Sequence, residues 1–120
     1  MFETPFCKIE YLPDLNAVLC SWKAYCEGDD YRAPLVYGLQ LIHEKSAATW
    51  ITDTSKGFQS RDEDNVWLAT EFTPQAIESS CQNIVFIISD DSPLQDEIAL
   101  HSQILEHAFN VRSVTCLQEI

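Results

Sequence analysis

Positive charge is scarce in this chain. Lys and Arg number 7 against 19 Asp and Glu, a formal charge of −12 over 120 residues. A surface of that sign repels phosphate backbones and anionic lipid headgroups. No cluster of Lys or Arg reverses it locally, so no nucleic-acid partner is expected. Self-repulsion keeps such a chain in solution, and a basic partner protein is the sharper reading of the same charge. Glycine is scarce too, at 3 residues. Gly28 and Gly57 stand alone, whereas a phosphate-cradling loop usually needs more. P-loop, dinucleotide fingerprint and nucleophile elbow are all missing, and no cofactor is expected. Long apolar runs are missing as well: none approaches the roughly 20 residues that span a bilayer, so no membrane insertion is expected. The opening "MFETPFCKIEYL" has neither the basic region nor the long apolar stretch of a signal peptide. The 5 cysteines are odd in number and scattered, with no CxxC. That pattern argues against a disulfide framework and a zinc knuckle. The expectation is a reduced, cytoplasmic protein.

Hydrophobic residues at 46% and charged residues at 22% are ordinary for a globular chain. A chain of this length makes one domain, residues 1–120, and buries roughly two-thirds of its unfolded surface. "FCKIEYL" (6–12) and "AVLCSW" (17–22) flank the turn-forming "PDLN" and read as an antiparallel pair. In the segment "EGDDYRAPLVYGLQLIHEKS", Leu35, Leu39 and Ile42 share a helical stripe extended by Tyr31 and backed by Val36. Asp29 or Asp30 is the expected cap, and Pro34 in the first turn would move the helix start toward residues 31–33. "ATWIT" (48–52) reads as a short buried strand. "SRDE" (60–63) matches a capping box opening a helix that carries Trp67, and Pro74 is expected to break or kink it, with Thr73 capping the next segment. "NIVFIIS" (83–89) has the unbroken apolar character of a central parallel strand. "SPLQ" (92–95) matches a second capping box, for a helix reaching about Phe109 with Ala108 on its inner side. "VRSVTCL" (111–117) closes as a strand. Cys7, Cys20 and Cys116 thus fall in strand-like runs, as small hydrophobes. The order β-β-α-β-α-β-α-β predicts an α/β domain: a mostly parallel open sheet of about five strands, the first antiparallel, with helices packed on it.

In such sheets ligands gather outside the carboxyl ends of the strands. Three loops are expected there, carrying Glu27, Asp29 and Asp30; Asp53, Thr54 and Ser55; and Ser89, Asp90, Asp91 and Ser92. Asp53 with Asp90 and Asp91 could hold Mg²⁺ or accept a phosphoryl group, which makes a small Mg²⁺-dependent enzyme or phosphoryl acceptor one alternative. The competing reading is that several of these residues simply cap helices. Ser60 is the hydroxyl best placed for modification, since a phosphate there would meet a helix N-terminus, although Asp62, Glu63 and Asp64 would repel it. His101 and His107 lie six apart on one helix and point to different faces. Trp22, Trp50 and Trp67 serve first as core packing; the sharper reading is that one of them, Trp67 foremost, lines a ligand pocket or a dimer face with Phe58 or Phe72. A binder of an apolar small molecule or lipid is therefore a further alternative.

Trp22 ending the second strand, "LVYGLQLI", "WITD" ending in Asp53, the acidic helix start with Trp67 inside, "PQAI" and "IVFII" follow one another in an order that resembles the STAS-like fold. That fold is named for sulfate transporters and anti-sigma-factor antagonists. The likeness is to a divergent, stand-alone bacterial branch and extends over nearly the whole chain. The resemblance implies an open sheet with helices, no cofactor, and a non-enzymatic role in binding or regulation. In the antagonists, a serine at the start of the second helix is phosphorylated to switch partner binding. Ser60 matches it by position, though "GFQSRDED" replaces the usual Asp-Ser-Ser/Gly-Gly type signature. The leading expectation is thus a cytoplasmic binding or regulatory module that pairs with another protein or with itself as a homodimer.

Overall fold

Six strands in the order β1-β2-β3-β4-β5-β6 organise the computed structural model, which describes residues 1–120. They are β1 (Phe2–Glu3), β2 (Cys7–Leu12), β3 (Ala17–Trp22), β4 (Thr49–Asp53), β5 (Asn83–Ile87) and β6 (Asn110–Val114). The pairs β1–β2 and β2–β3 are antiparallel, and all later neighbours are parallel. The expected mostly parallel α/β sheet is what forms, with one strand more than expected. β1 has two residues, too few to show an alternation in sequence. Between β2 and β3, Asn16 turns the chain through a left-handed φ of 47°, and its Oδ1 accepts the Tyr11 hydroxyl at 2.7 Å.

From β3 to β6 the strand order repeats the chain order. Each crossover therefore steps the same way, and right-handed crossovers then put every helix on one face. The two apolar clusters record this. Cys7, Ile9, Val18, Cys20, Trp50, Ile84 and Phe86 pack with Leu35, Leu39, Ile42 and Ile98 from the helices. On the other face, Ala17, Leu19, Ile51, Val85 and Ile87 are covered by Leu12, Leu15, Val114, Leu117 and Ile120, none of them helical in the α sense. β5 is thereby buried on both faces, as its unbroken apolar run predicts.

The helices are α1 (Asp29–Lys45), α2 (Asp62–Trp67), α3 (Thr73–Ile77) and α4 (Gln95–Leu105). Tyr31, Leu35, Leu39 and Ile42 form the buried stripe of α1, while Val36 is 44% exposed and backs nothing. α1 starts earlier than Pro34 suggests. Gly28 caps it at φ 61°, a conformation that costs glycine little, so the chain enters the helix at Asp29. Neither Asp29 nor Asp30 caps it; both lie in the first turn, and no side chain makes a cap hydrogen bond. Pro34 then sits in the second turn. Its missing N–H leaves the Asp30 carbonyl to the Cys26 thiol, which donates to it at 3.6 Å.

Neither capping box forms. At α2 the cap is Arg61, one residue later than "SRDE" implies. Arg61 Nε donates to the buried Asp64 carboxylate at 3.0 Å, a tertiary anchor that sets the helix start. Ser60 instead offers its carbonyl to Asn65 Nδ2 at 3.3 Å. At α4, the Ser92 hydroxyl accepts the Leu94 N–H while Gln95 Nε2 reaches the Ser89 carbonyl. Pro74 does not break the second helical segment. A π turn over Leu68–Phe72 joins α2 to α3, and Thr73, inside the run rather than capping it, gives both its N–H and its hydroxyl to the Leu68 carbonyl. The wider turn accommodates the proline ring. α4 ends at Leu105, short of Phe109, and Ala108 is exposed. Cys116 lies beyond β6 and is also exposed, whereas the other four free cysteines are buried.

Candidate functional site

Between the sheet and its helices runs a cleft of about 130 Å³. Its floor is Trp50 and Thr52 of β4 with Ile84 and Phe86 of β5; its roof is Leu68, Phe72, Thr73 and Ala76 from the π turn and α3. Tyr31 and Leu35 of α1 close one side, and Leu94, Glu97, Ile98, His101 and Leu105 of α4 or just before it close the other. The deep positions, Tyr31, Leu35, Trp50, Ala76, Ile84, Phe86 and Ile98, are buried. The rim positions, Phe58, Ser60, Phe72, Glu97 and His101, are half-buried.

Local chemistry explains why these rings stand where they do. α1 passes directly over Trp50 because Gly38 has no side chain: a Cβ there would lie 2.4 Å from the Trp50 Cη2 atom. The indole Nε1 donates to Thr52 Oγ1 at 2.9 Å, and Phe72 meets the ring edge-on at 5.4 Å between centroids. At the other end Trp22 stacks on Tyr31 at 5.1 Å, with Phe58 edge-on to Trp22 at 5.5 Å. The loop bearing Phe58 and Ser60 is tied down beside it. Asp64, fully buried, accepts Gly28 N–H at 3.1 Å, Arg32 Nε at 3.3 Å and Arg61 Nε at 3.0 Å. This anchor joins the start of α1 to the start of α2.

Two hydroxyls of the lining are satisfied internally. Thr54 donates to the Ile87 carbonyl at 2.7 Å and Thr73 to the Leu68 carbonyl at 2.8 Å. The rim carries the free polarity. The basic side chain beside the Glu97 carboxylate is His101, whose Nε2 lies 4.0 Å away, outside hydrogen-bonding distance. Burial pushes the Tyr31 hydroxyl up to about 12, with the neighbouring Ser60 hydroxyl acting in the opposite direction. Tyr31 therefore stays a neutral donor at physiological pH.

The residues singled out in sequence separate into two groups. Phe58, Phe72 and Ser60 line the cleft. Trp67 does not: its ring lies under the Arg32 guanidinium at 5.5 Å and packs beside Phe72 at 6.3 Å. Asp53 ends β4 in register between Ser21 and Ile87, with its side chain accepting the Ser55 N–H and hydroxyl at 2.9 and 2.7 Å. Asp90 and Asp91 are exposed. No three His, Cys, Asp or Glu side chains come together as a group able to hold a metal ion, Asp53, Asp90 and Asp91 included. The cleft reaches the carboxyl ends of the strands through Trp22 at the end of β3, Thr54, Phe58 and Ser60 after β4 and Leu94 after β5, but not through a strand-order crevice. Such a crevice opens where strand order reverses, and here the order runs in one direction throughout. Of the three tryptophans, Trp22 and Trp50 rather than Trp67 line the cleft, and Glu97 and His101 are polar lining residues that sequence reading missed. The signal for the pair on α4 was their spacing of four on one helix. No helix is long and apolar enough to cross a membrane. No family model matches the chain, and no curated protein or solved structure matches it.

Proposed function

We propose that the protein is a non-enzymatic binding module whose cleft takes a small, largely apolar ligand. The observation that carries this is the cleft itself: 14 of its 21 lining residues are hydrophobic, and its three threonine hydroxyls are each engaged in a hydrogen bond within the protein. For scale, an apolar cavity of about 150 Å³ in another protein accepts benzene. A single ring with a short substituent therefore suits about 130 Å³ with an open rim. The open sheet with helices and the placement of Ser60 just before α2 agree with what the STAS-like resemblance implies, and with it goes a regulatory role in the cytoplasm.

Thermal unfolding with toluene and indole as probes tests the cleft. Ligand at 100 times its Kd stabilises by about 2.7 kcal/mol, a rise in Tm on the order of 10 °C. Leu105→Trp, which fills the cleft from α4, should remove the rise. A Tm unmoved by both probes, with no amide shifts at cleft residues in NMR spectra, rejects the reading. The homodimer belongs to the same proposal and has one feature in its favour. Leu100 and Ile104, one turn apart on α4, are 57% and 59% exposed beside the cleft. A clean monomer by light scattering at high concentration removes it.

A further inference from the structure

We infer that the cleft selects a ligand bearing a protonated amine on a short arm, attached to a single apolar ring. The inference rests on the cleft being a binding site and adds the chemistry of the head group. No Lys or Arg lines the cleft, whereas Glu97 does. The net charge of −12 biases the surrounding field the same way. A carboxylate or phosphate head would find no Lys or Arg there and would face the Glu97 carboxylate, with the His101 imidazole as the one basic side chain beside it. An ammonium would find one acidic partner, in a cleft that also carries three aromatic rings. Tyr31 is stacked on Trp22 at 5.1 Å, and Phe58 stands 6.5 Å from Tyr31. All three line the same cleft as Glu97. Aromatic faces attract a cation within about 6 Å of the ring centroid, more strongly where water is excluded.

The arrangement also fixes the ligand's direction. Trp50, Ile84 and Phe86 form a deep apolar floor, and Glu97 with His101 stands at the half-buried rim. The ring enters first and the amine stays at the mouth. Thr52, the one hydroxyl of the floor, accepts from Trp50, and no floor residue carries a charge, so the only carboxylate open to the head group is at the rim.

The test is isothermal titration calorimetry of the full chain at pH 7 with three matched probes: 2-phenylethylamine, 2-phenylethanol and 3-phenylpropanoate. The amine should bind about tenfold more tightly than the alcohol, within the range of cation–π and partly buried ion-pair energies, and the carboxylate most weakly. In Glu97→Gln the amine's advantage over the alcohol should disappear. Equal affinities for amine and alcohol in the wild-type chain, or an advantage that survives Glu97→Gln, overturns the inference and leaves the cleft standing as an apolar site. If none of the three binds while toluene does, the head-group inference alone falls. If toluene and indole fail as well, the cleft reading falls and takes the inference with it.

Discussion

Gly38→Ala should destabilise this protein, against the usual sign for a helix interior. Alanine in place of glycine ordinarily gains about 1 kcal/mol in helix propensity. Here the added Cβ would stand 2.4 Å from Trp50 Cη2 and 2.6 Å from Trp50 Cζ3, well inside van der Waals contact. The indole must move, and its surroundings resist. It is 6% exposed, is held edge-on by Phe72 at 5.4 Å, and donates to Thr52 at 2.9 Å. Overpacking of this kind costs about 1–3 kcal/mol, and a lost hydrogen bond about 1 kcal/mol more. Offset by the propensity gain, the net loss is about 1–3 kcal/mol, a fall in Tm on the order of 5–10 °C. The direction of retreat matters as much as the cost. Trp50 forms part of the cleft floor, so displacing it shrinks the cleft, and probe binding should weaken together with stability. Urea unfolding followed by tryptophan fluorescence gives the first quantity and probe titration the second. Trp50→Phe removes both clashing atoms, so the double variant should be about 1 kcal/mol or more stabler than the two single effects predict. If Gly38→Ala is as stable as the parent and binds probes as well, the account of α1 resting on Trp50 is wrong.

Three other perturbations bear on the same architecture. Asp64→Asn turns one face of a fully buried acceptor into a donor opposite an arginine. It should cost about 2–3 kcal/mol in urea unfolding, the low end for breaking a buried ion pair, because both arginines are about a third exposed and can rehydrate; a loss under about 0.5 kcal/mol would show that the anchor contributes little. Burial pushes the Cys81 thiol up to about 11 and the Cys26 thiol and Tyr31 hydroxyl up to about 12. The unfolded chain therefore releases these protons first, and stability, intact below about pH 9, should fall as pH rises through 9 to 12; a Tm flat to pH 11 refutes this, and Tyr31→Phe should flatten the upper part of the profile. Iodoacetamide at pH 8 should add one label to the folded chain, on the exposed Cys116, and reach the four buried thiols only in denaturant; a second label under native conditions would contradict their burial.

What could be read in the sequence depended on how far each signal reached along the chain. The apolar run of β5 and the stripe of Tyr31, Leu35, Leu39 and Ile42 are local periodicities, and they formed as written. The helix starts were misread because capping residues compete with tertiary anchors. Gly28, free to adopt φ 61°, starts α1 before the proline would allow by rule. Asp64, drawing on Arg32 and Arg61, overrides the serine of "SRDE". Trp67 packs against the same core as its neighbours but stands just before the π turn, whose Leu68 and Phe72 line the cleft, and no spacing rule built on 3.6 residues locates a π turn.

The cleft itself follows from topology, not from any motif. With strand order running in one direction, no reversal opens a crevice at the sheet's edge, and all helices crowd one face. α1 packs on β2 and β3, and α4 packs on β6. The middle strands β4 and β5 are left to the short run of α2, π turn and α3. That run is interrupted by its own geometry: Pro74 removes an N–H, and the π turn that accommodates it pushes Phe72 toward Trp50. A regular helix of the same length would seat its apolar side evenly on the sheet and fill the gap. The same irregularity that makes this segment hard to read in sequence is therefore what keeps space above β4 and β5. Replacing the "TP" pair by helix-forming residues should close that space, raising stability while abolishing probe binding, and the opposite pairing of effects would sever the link between the π turn and the site.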